Sequence, residues 1–183
     1  MSNKLWQKSG VSLNPIIESY TVGDDYITDK ILMPYDILGT KAHVKGLEKI
    51  GIFSSKELKK TLELLKKLEK DVKRGKVKIT IKDEDCHTVI ENYLTKKSKK
   101  LGQKIHTGRS RNDQVLTAIR LYMKDQLEII RREAKKLAKN FLSYGQKYKN
   151  VPLPGYSHSK QAMLSSLGHS NSNCLFSICY FWP

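Results

Sequence analysis

Leu116, Ile119, Met123, Leu127, Ile130, Ala134, Leu137 and Phe141 follow one another at spacings of three or four residues for seven intervals. Nothing else in the 183-residue chain constrains its fold so tightly. Residues three and four apart share a helix face, so the run predicts one long helix with a continuous apolar seam. A seam of that length belongs to a helix bundle or a coiled coil. Left uncovered, the same seam predicts self-association or aggregation. Gly145, then Pro152 and Pro154, end the pattern.

The stretch before the seam is also helical in pattern. Ile27, Ile31, Ile37, Leu38, Ala42 and Leu47 mark a helix from about Tyr26 to Ile50, with Pro34 kinking it or marking its start and Gly51 closing it. Ser54-Ser55-Lys56-Glu57 is an N-cap signature, followed by Leu58, Leu62, Leu65 and Leu68 at helical spacing. Val77, Ile79 and Ile81 alternate within Gly75 to Lys82, predicting a short extended piece, and Asp85 to Leu94 reads as another helix opened by its acid.

Composition excludes several classes. No apolar run reaches the roughly 18 residues that span a bilayer, and the start Met1-Ser2-Asn3-Lys4-Leu5-Trp6 has no secretory pattern. Cys86, Cys174 and Cys179 cannot all pair and show no metal-ligand spacing, so the expectation is a cytoplasmic protein with no metal. The net charge of +16 admits nucleic acid, an anionic surface or an acidic small molecule as partner. Its lysines are spread mainly over residues 56 to 104 among Glu and Asp, with no aromatic residues interleaved at stacking intervals, which favours a solvated surface over a nucleic-acid stripe.

Two polar clusters carry the chemistry. His106-Thr107-Gly108-Arg109-Ser110-Arg111-Asn112-Asp113-Gln114-Val115 stands directly before the seam. Two guanidinium groups at a helix entrance make a site for carboxylate or phosphate, since the terminus adds unpaired N–H groups and the positive end of its dipole. A polar loop with a well-made cap, Ser110 with Asp113 in a capping box, explains the same residues. Pro154-Gly155-Tyr156-Ser157-His158-Ser159-Lys160-Gln161 sets one imidazole among hydroxyls on a Gly-Pro loop, as an acid or base or as surface decoration.

Together the clusters resemble the first two signatures of the argininosuccinate lyase family, with Ser157 where threonine is usual. Leu5-Trp6, Asp36-Ile37-Leu38-Gly39-Thr40-Lys41-Ala42-His43-Val44 and Asp85-Cys86-His87 with Ile90-Glu91 agree in order and spacing. Fumarase, aspartase and adenylosuccinate lyase share the wider superfamily, but Arg-Ser-Arg-Asn-Asp points to the argininosuccinate branch. The resemblance implies a homotetrameric, all-α enzyme of arginine biosynthesis. It implies reversible anti-elimination of argininosuccinate to arginine and fumarate, without metal or organic cofactor. By position, Ser110, Arg111 and Asn112 would hold carboxylates, and Ser157 would serve the fumarate end. His158 would assist proton transfer or orient the acid, and Asp25 and Asp29 would contact the arginine end.

The same resemblance divides the chain into a helical N-terminal domain (1–108), the start of the central bundle (109–168) and a non-family tail (169–183), expected to be disordered or out of frame. Leu164 stands where proline is expected before Ser165-Ser166, and the family's Gly-Ser-Ser loop with its proton-abstracting serine is absent. The expectation is therefore a truncated lyase, inactive alone. The alternative is a non-catalytic helical module, like the lens crystallins of this fold, able to join lyase tetramers.

Overall fold

A computed structural model describes residues 14, 16, 17, 20, 23–80, 83 and 85–171, except for the side chain of Asp25. Leu5, Trp6, Ile81, Cys174 and Cys179 lie outside the described residues, as does most of the 169–183 segment. Two compact units divide the chain at Met123/Lys124. Among the described residues the principal elements are five helices and a hairpin: α1 (Asp25–Lys49), α2 (Ser55–Lys73), α3 (Cys86–Lys97), α4 (Lys99–Lys104), α5 (Arg111–Lys147), β1 (Pro152–Ser157) and β2 (Lys160–Ser166).

In the first unit α1 buries Met33, Ile37, Thr40, Val44 and Leu47, a stripe at helical spacing. Of the apolar positions expected to face the core, Ile37 and Leu47 do so, whereas Ile27, Ile31, Leu38 and Ala42 are exposed. The two stripes diverge around the helix, and the one that meets α2 and α3 includes a threonine that periodicity of apolar residues passes over. Pro34 lies inside α1 and does not mark its start. The helix ends through Gly51, whose N–H donates to Glu48 O at 3.0 Å.

Ser54 opens α2 with the expected capping box: its hydroxyl accepts from the Glu57 N–H at 3.2 Å, and the Glu57 carboxylate accepts from the Ser54 N–H at 3.0 Å. Leu65 and Leu68 are fully buried, and Leu58 and Leu62 pack at the core's edge. Residues 76–80 run without a strand partner among the described residues, yet the alternation still buries Ile79 and half-buries Val77. Asp85 opens α3, accepting the Thr88 N–H at 2.7 Å. Leu94, Ile90 and Cys86 from α3 meet Leu65, Leu68 and Val44 in one core.

The second unit holds α5 from Lys124 onward and the β1–β2 hairpin, the one paired sheet among the described residues. The Gly-Pro loop read from the sequence is thus an antiparallel ribbon, with Pro154 opposite Leu164 and a bulge beside Gly155/Tyr156. Pro152 and Pro154 are two apart, so their missing N–H groups fall at equivalent ladder positions, which an edge strand tolerates. Gly145 does not end α5, which runs to Lys147. Residues 167–171 are helical, and a Cβ on Gly168 would lie 2.7 Å from Gly145 O, so a larger residue there must push the backbones apart.

Along α5, Leu116, Met123, Leu127, Ile130 and Leu137 are between 48% and 55% exposed. The seam is one continuous half-open stripe. No helix among the described residues is long and apolar enough to cross a membrane.

Two measurements check this fold. Leu65→Ala, at a fully buried site, should cost about 2–5 kcal/mol in denaturant unfolding. The Ser54 N–H and the Lys104 ammonium hold the Glu57 carboxyl down at about 2. A depressed folded-state value stabilises above the unfolded value and is lost as pH falls through the folded one. Wild type should therefore lose its advantage over Glu57→Gln between about pH 4.5 and about pH 2, and the two acid-unfolding curves should converge below that window.

Candidate functional site

The motif before the seam begins at a bend. Gly108 has φ +74°, in the left-handed region where a side chain is strained, and turns the chain from α4 toward α5. The His43 ring on α1 donates from Nε2 to Thr107 O at 3.0 Å and pins the approach to that bend. Burial, followed by neighbouring Arg109, pushes the His43 pKa down.

Ser110 then caps α5. Its N–H and hydroxyl both donate to Asp113 Oδ2, at 2.7 and 3.0 Å, and its Oγ accepts from the Asp113 N–H at 3.3 Å. This is the capping box expected from the sequence, with aspartate in the third position. The Ser110 N–H and hydroxyl bonds hold the Asp113 carboxyl below its usual value.

The two arginines do not form one fork. Arg111, the first residue of α5, donates from Nη1 to Asp85 and, at 3.0 Å, to the Thr88 hydroxyl. Arg109 donates from Nη2 to the Thr40 hydroxyl at 3.1 Å. One residue precedes the cap and the other follows it, so the helix start sends them apart. Burial lowers the Arg109 pKa against the opposing pull of Asp36 and Glu91. Asn112 is exposed on the first turn.

Behind Arg109 lies a buried polar line. Thr40 Oγ1 lies 3.5 Å from Asp36 Oδ1, and His87 Nδ1 donates to Asp36 Oδ2 at 2.7 Å. Asp29, read from the sequence as a substrate contact, accepts the Cys86 N–H at 2.8 Å, and burial pushes its carboxyl pKa up. The Asp25 side chain lies outside the described residues.

Asp36, Cys86 and His87 also bring metal-ligand atoms within 4.8 Å of one another, all buried. The His87–Asp36 bond already occupies two of those atoms. Burial, helped by Asp36, Asp29 and Asp85, pushes the Cys86 thiol far up, so its sulfur is a protonated, weak ligand.

Ser157 and His158 belong to the second unit, at the end of β1 and the start of the hairpin turn. The Ser157 hydroxyl and His158 Nδ1 share a hydrogen bond of 3.0 Å. His158 and Ser159 have φ of +51° and +64°, the pair of left-handed residues that a two-residue hairpin turn requires. The His158 ring thus projects from an exposed tip with its Nδ1 engaged by its own neighbour.

Sequence reasoning missed Asp85 and Thr88 as partners of Arg111, and Thr40 and Asp36 as the partners behind Arg109. Asp36 and Thr40 are four apart on α1, a spacing that places two polar groups on one helix face within an otherwise apolar run. That signal was available.

Residues 15–175 match the family described as Lyase. Argininosuccinate lyase from Xanthomonas euvesicatoria pv. vesicatoria is 44% identical over 168 residues, covering 92% of this chain and 39% of the relative. Argininosuccinate lyase from Thermotoga neapolitana is 44% identical over 163 residues, covering 89% of this chain and 41% of the relative. This chain therefore spans about two fifths of the length of the curated relatives it matches.

Solved structures agree on the fold. An EDDS lyase variant with bound fumarate superposes with a TM-score of 0.73 at 20% identity, over 93% of this chain and 34% of that one. A fumarate lyase:delta crystallin from Brucella melitensis gives 0.71 at 13% identity, over 90% and 42%. With a match running through both polar clusters and the helices that carry them, the chain belongs to the lyase family, among the relatives of the argininosuccinate lyases.

Proposed function

We propose that this chain carries the carboxylate-holding part of an argininosuccinate lyase-type enzyme, a carbon–nitrogen lyase that splits argininosuccinate reversibly into arginine and fumarate. The observation that carries this reading is Arg111. It stands on the first turn of α5, aimed by Asp85 and Thr88, in a segment that resembles the family's first signature. Its Nη1 is spent on those two partners, leaving Nε and Nη2, on a side chain 32% exposed, for a carboxylate.

In the proposed reaction a base takes the proton beside a carboxylate, the C–N bond breaks, and its electron pair leaves with the guanidino nitrogen. Charge builds on the carboxylate, so preorganised donors there lower the barrier. Ser110, Arg111 and Asn112 supply them, and Ser157 serves the fumarate end. His158 assists proton transfer, and Asp25 and Asp29 contact the arginine end. The family's third signature, credited with the proton-abstracting serine, is not among these 183 residues, and the expected outcome for these residues on their own is no turnover. The setting is the cytoplasm and arginine biosynthesis, in a homotetramer.

A second reading is favoured by the half-open seam on α5: a non-catalytic helical module that associates through Leu116 to Leu137. The family's tetrameric bundle would use the same stripe, so association fits both readings, and fumarate binding that depends on Arg111 separates them.

Three measurements test these readings. Purified chain given argininosuccinate should produce no fumarate absorbance above buffer, and measurable turnover would overturn the inactivity. Fumarate titrated onto the chain should bind roughly 10- to 100-fold more weakly to Arg111→Ala, because charged hydrogen bonds of about 1.5–3 kcal/mol are lost. Arg111→Lys should lose nearly as much, since an ammonium cannot reproduce the fork. In light scattering the wild-type chain should self-associate, and the pair Leu127→Lys with Ile130→Lys should shift it toward monomer; a compact wild-type monomer would contradict the seam's role.

A further inference from the structure

Between α1 and the first two turns of α5 lies a cavity of about 130 Å³. Asp36, Gly39 and His43 line it from α1, Gln114 and Thr117 from α5, and Arg109 from the segment before the cap; Asp113 completes the wall. Neither Ser110, Arg111 nor Asn112 lines it. The cavity exists partly because residue 39 has no side chain: a Cβ there would come 3.2 Å from the Thr117 methyl.

Two buried polar atoms at this cavity have no partner. One is Arg109 Nε, a donor; the other is Gln114 Oε1, an acceptor, on a side chain 5% exposed. Native interiors rarely leave such groups unpaired, and two facing one cavity call for a ligand. The neighbouring polar groups are already engaged. Asp36 is bonded by His87 and Thr40, Asp113 Oδ2 by Ser110, and the His43 Nε2–H by Thr107.

The two orphans select the ligand's chemistry. An anion accepts from Arg109 but leaves Gln114 Oε1 unmet and faces the carboxylates of Asp36 and Asp113. A cation donates to Gln114 but meets the Arg109 guanidinium. A primary carboxamide answers both: its oxygen accepts from Arg109 Nε and its N–H donates to Gln114 Oε1, with a second N–H for a wall carboxylate. The volume is that of roughly four waters, enough for such a group and a methyl or two. We propose that this cavity binds the primary carboxamide of a small ligand, as a site separate from the carboxylate-holding turn of α5.

The test uses the full chain and two probes of one shape, acetamide and acetate, followed by NMR at the Arg109 Nε–H and the Gln114 side-chain amide. Acetamide should give saturable shifts at both, with at least tenfold tighter binding than acetate. Gln114→Glu replaces the amide on the cavity wall by a carboxylate and should abolish the acetamide-induced shift at the Arg109 Nε–H while helical circular dichroism is retained. Should Gln114→Glu fail to fold, Gly39→Ala, which narrows the cavity from the other wall, should weaken acetamide binding at least tenfold. Acetate binding equally or more tightly would overturn the proposal in favour of an anion site, as expected if the Gln114 amide presents its nitrogen inward. An absence of saturable shifts in folded wild type would overturn it in favour of water alone, and shifts that survive both substitutions would place the binding elsewhere.

Discussion

The carboxylate of Asp85 is divided between two helix starts. One oxygen accepts the Thr88 N–H and caps α3; the other accepts Nη1 of Arg111, the first residue of α5. Helix termini leave orphaned N–H groups that must find partners, and here the partner of one terminus also neutralises the cation at another. Asp29 on α1 takes the next N–H of α3, that of Cys86. Three helices that are distant in sequence thus meet through two aspartates, and the direction of Arg111 follows from that meeting.

Polar atoms also run through the core itself. Arg109, Thr40, Asp36 and His87 form a line in which Asp36 and His87 are almost wholly buried. Buried charge is costly when unpaired, so such a line holds one arrangement of its helices and penalises others. Its one incomplete stretch is the face of Arg109 turned to the cavity beside Gln114. Around it, Leu65, Leu94 and Val44 provide the apolar burial that offsets those polar costs.

Local grammar was readable from residues alone. The capping boxes at Ser54 and Ser110, the acid that opens α3, the glycine after α1 and the course of α5 up to its last turn follow from spacing and cap chemistry. What depended on partners far along the chain was not. Asp85 and Arg111 are 26 residues apart, and no periodicity links them. Likewise Ile27 and Leu38 look like core residues until α2 and α3 take the other stripe of α1. Pro152 and Pro154 read as a loop because proline discourages strands, yet at alternate positions on an edge it permits one.

The tip of the hairpin bears on how a lone histidine is read. His158 and Ser159 both occupy the left-handed region, which most side chains enter only at a cost and which asparagine, aspartate, histidine and above all glycine enter more readily. Backbone conformation alone therefore restricts the alphabet at position 158 to a few letters, and histidine is one of them. The turn admits this residue for shape before any chemistry is asked of it, so the same imidazole can meet two independent requirements at once.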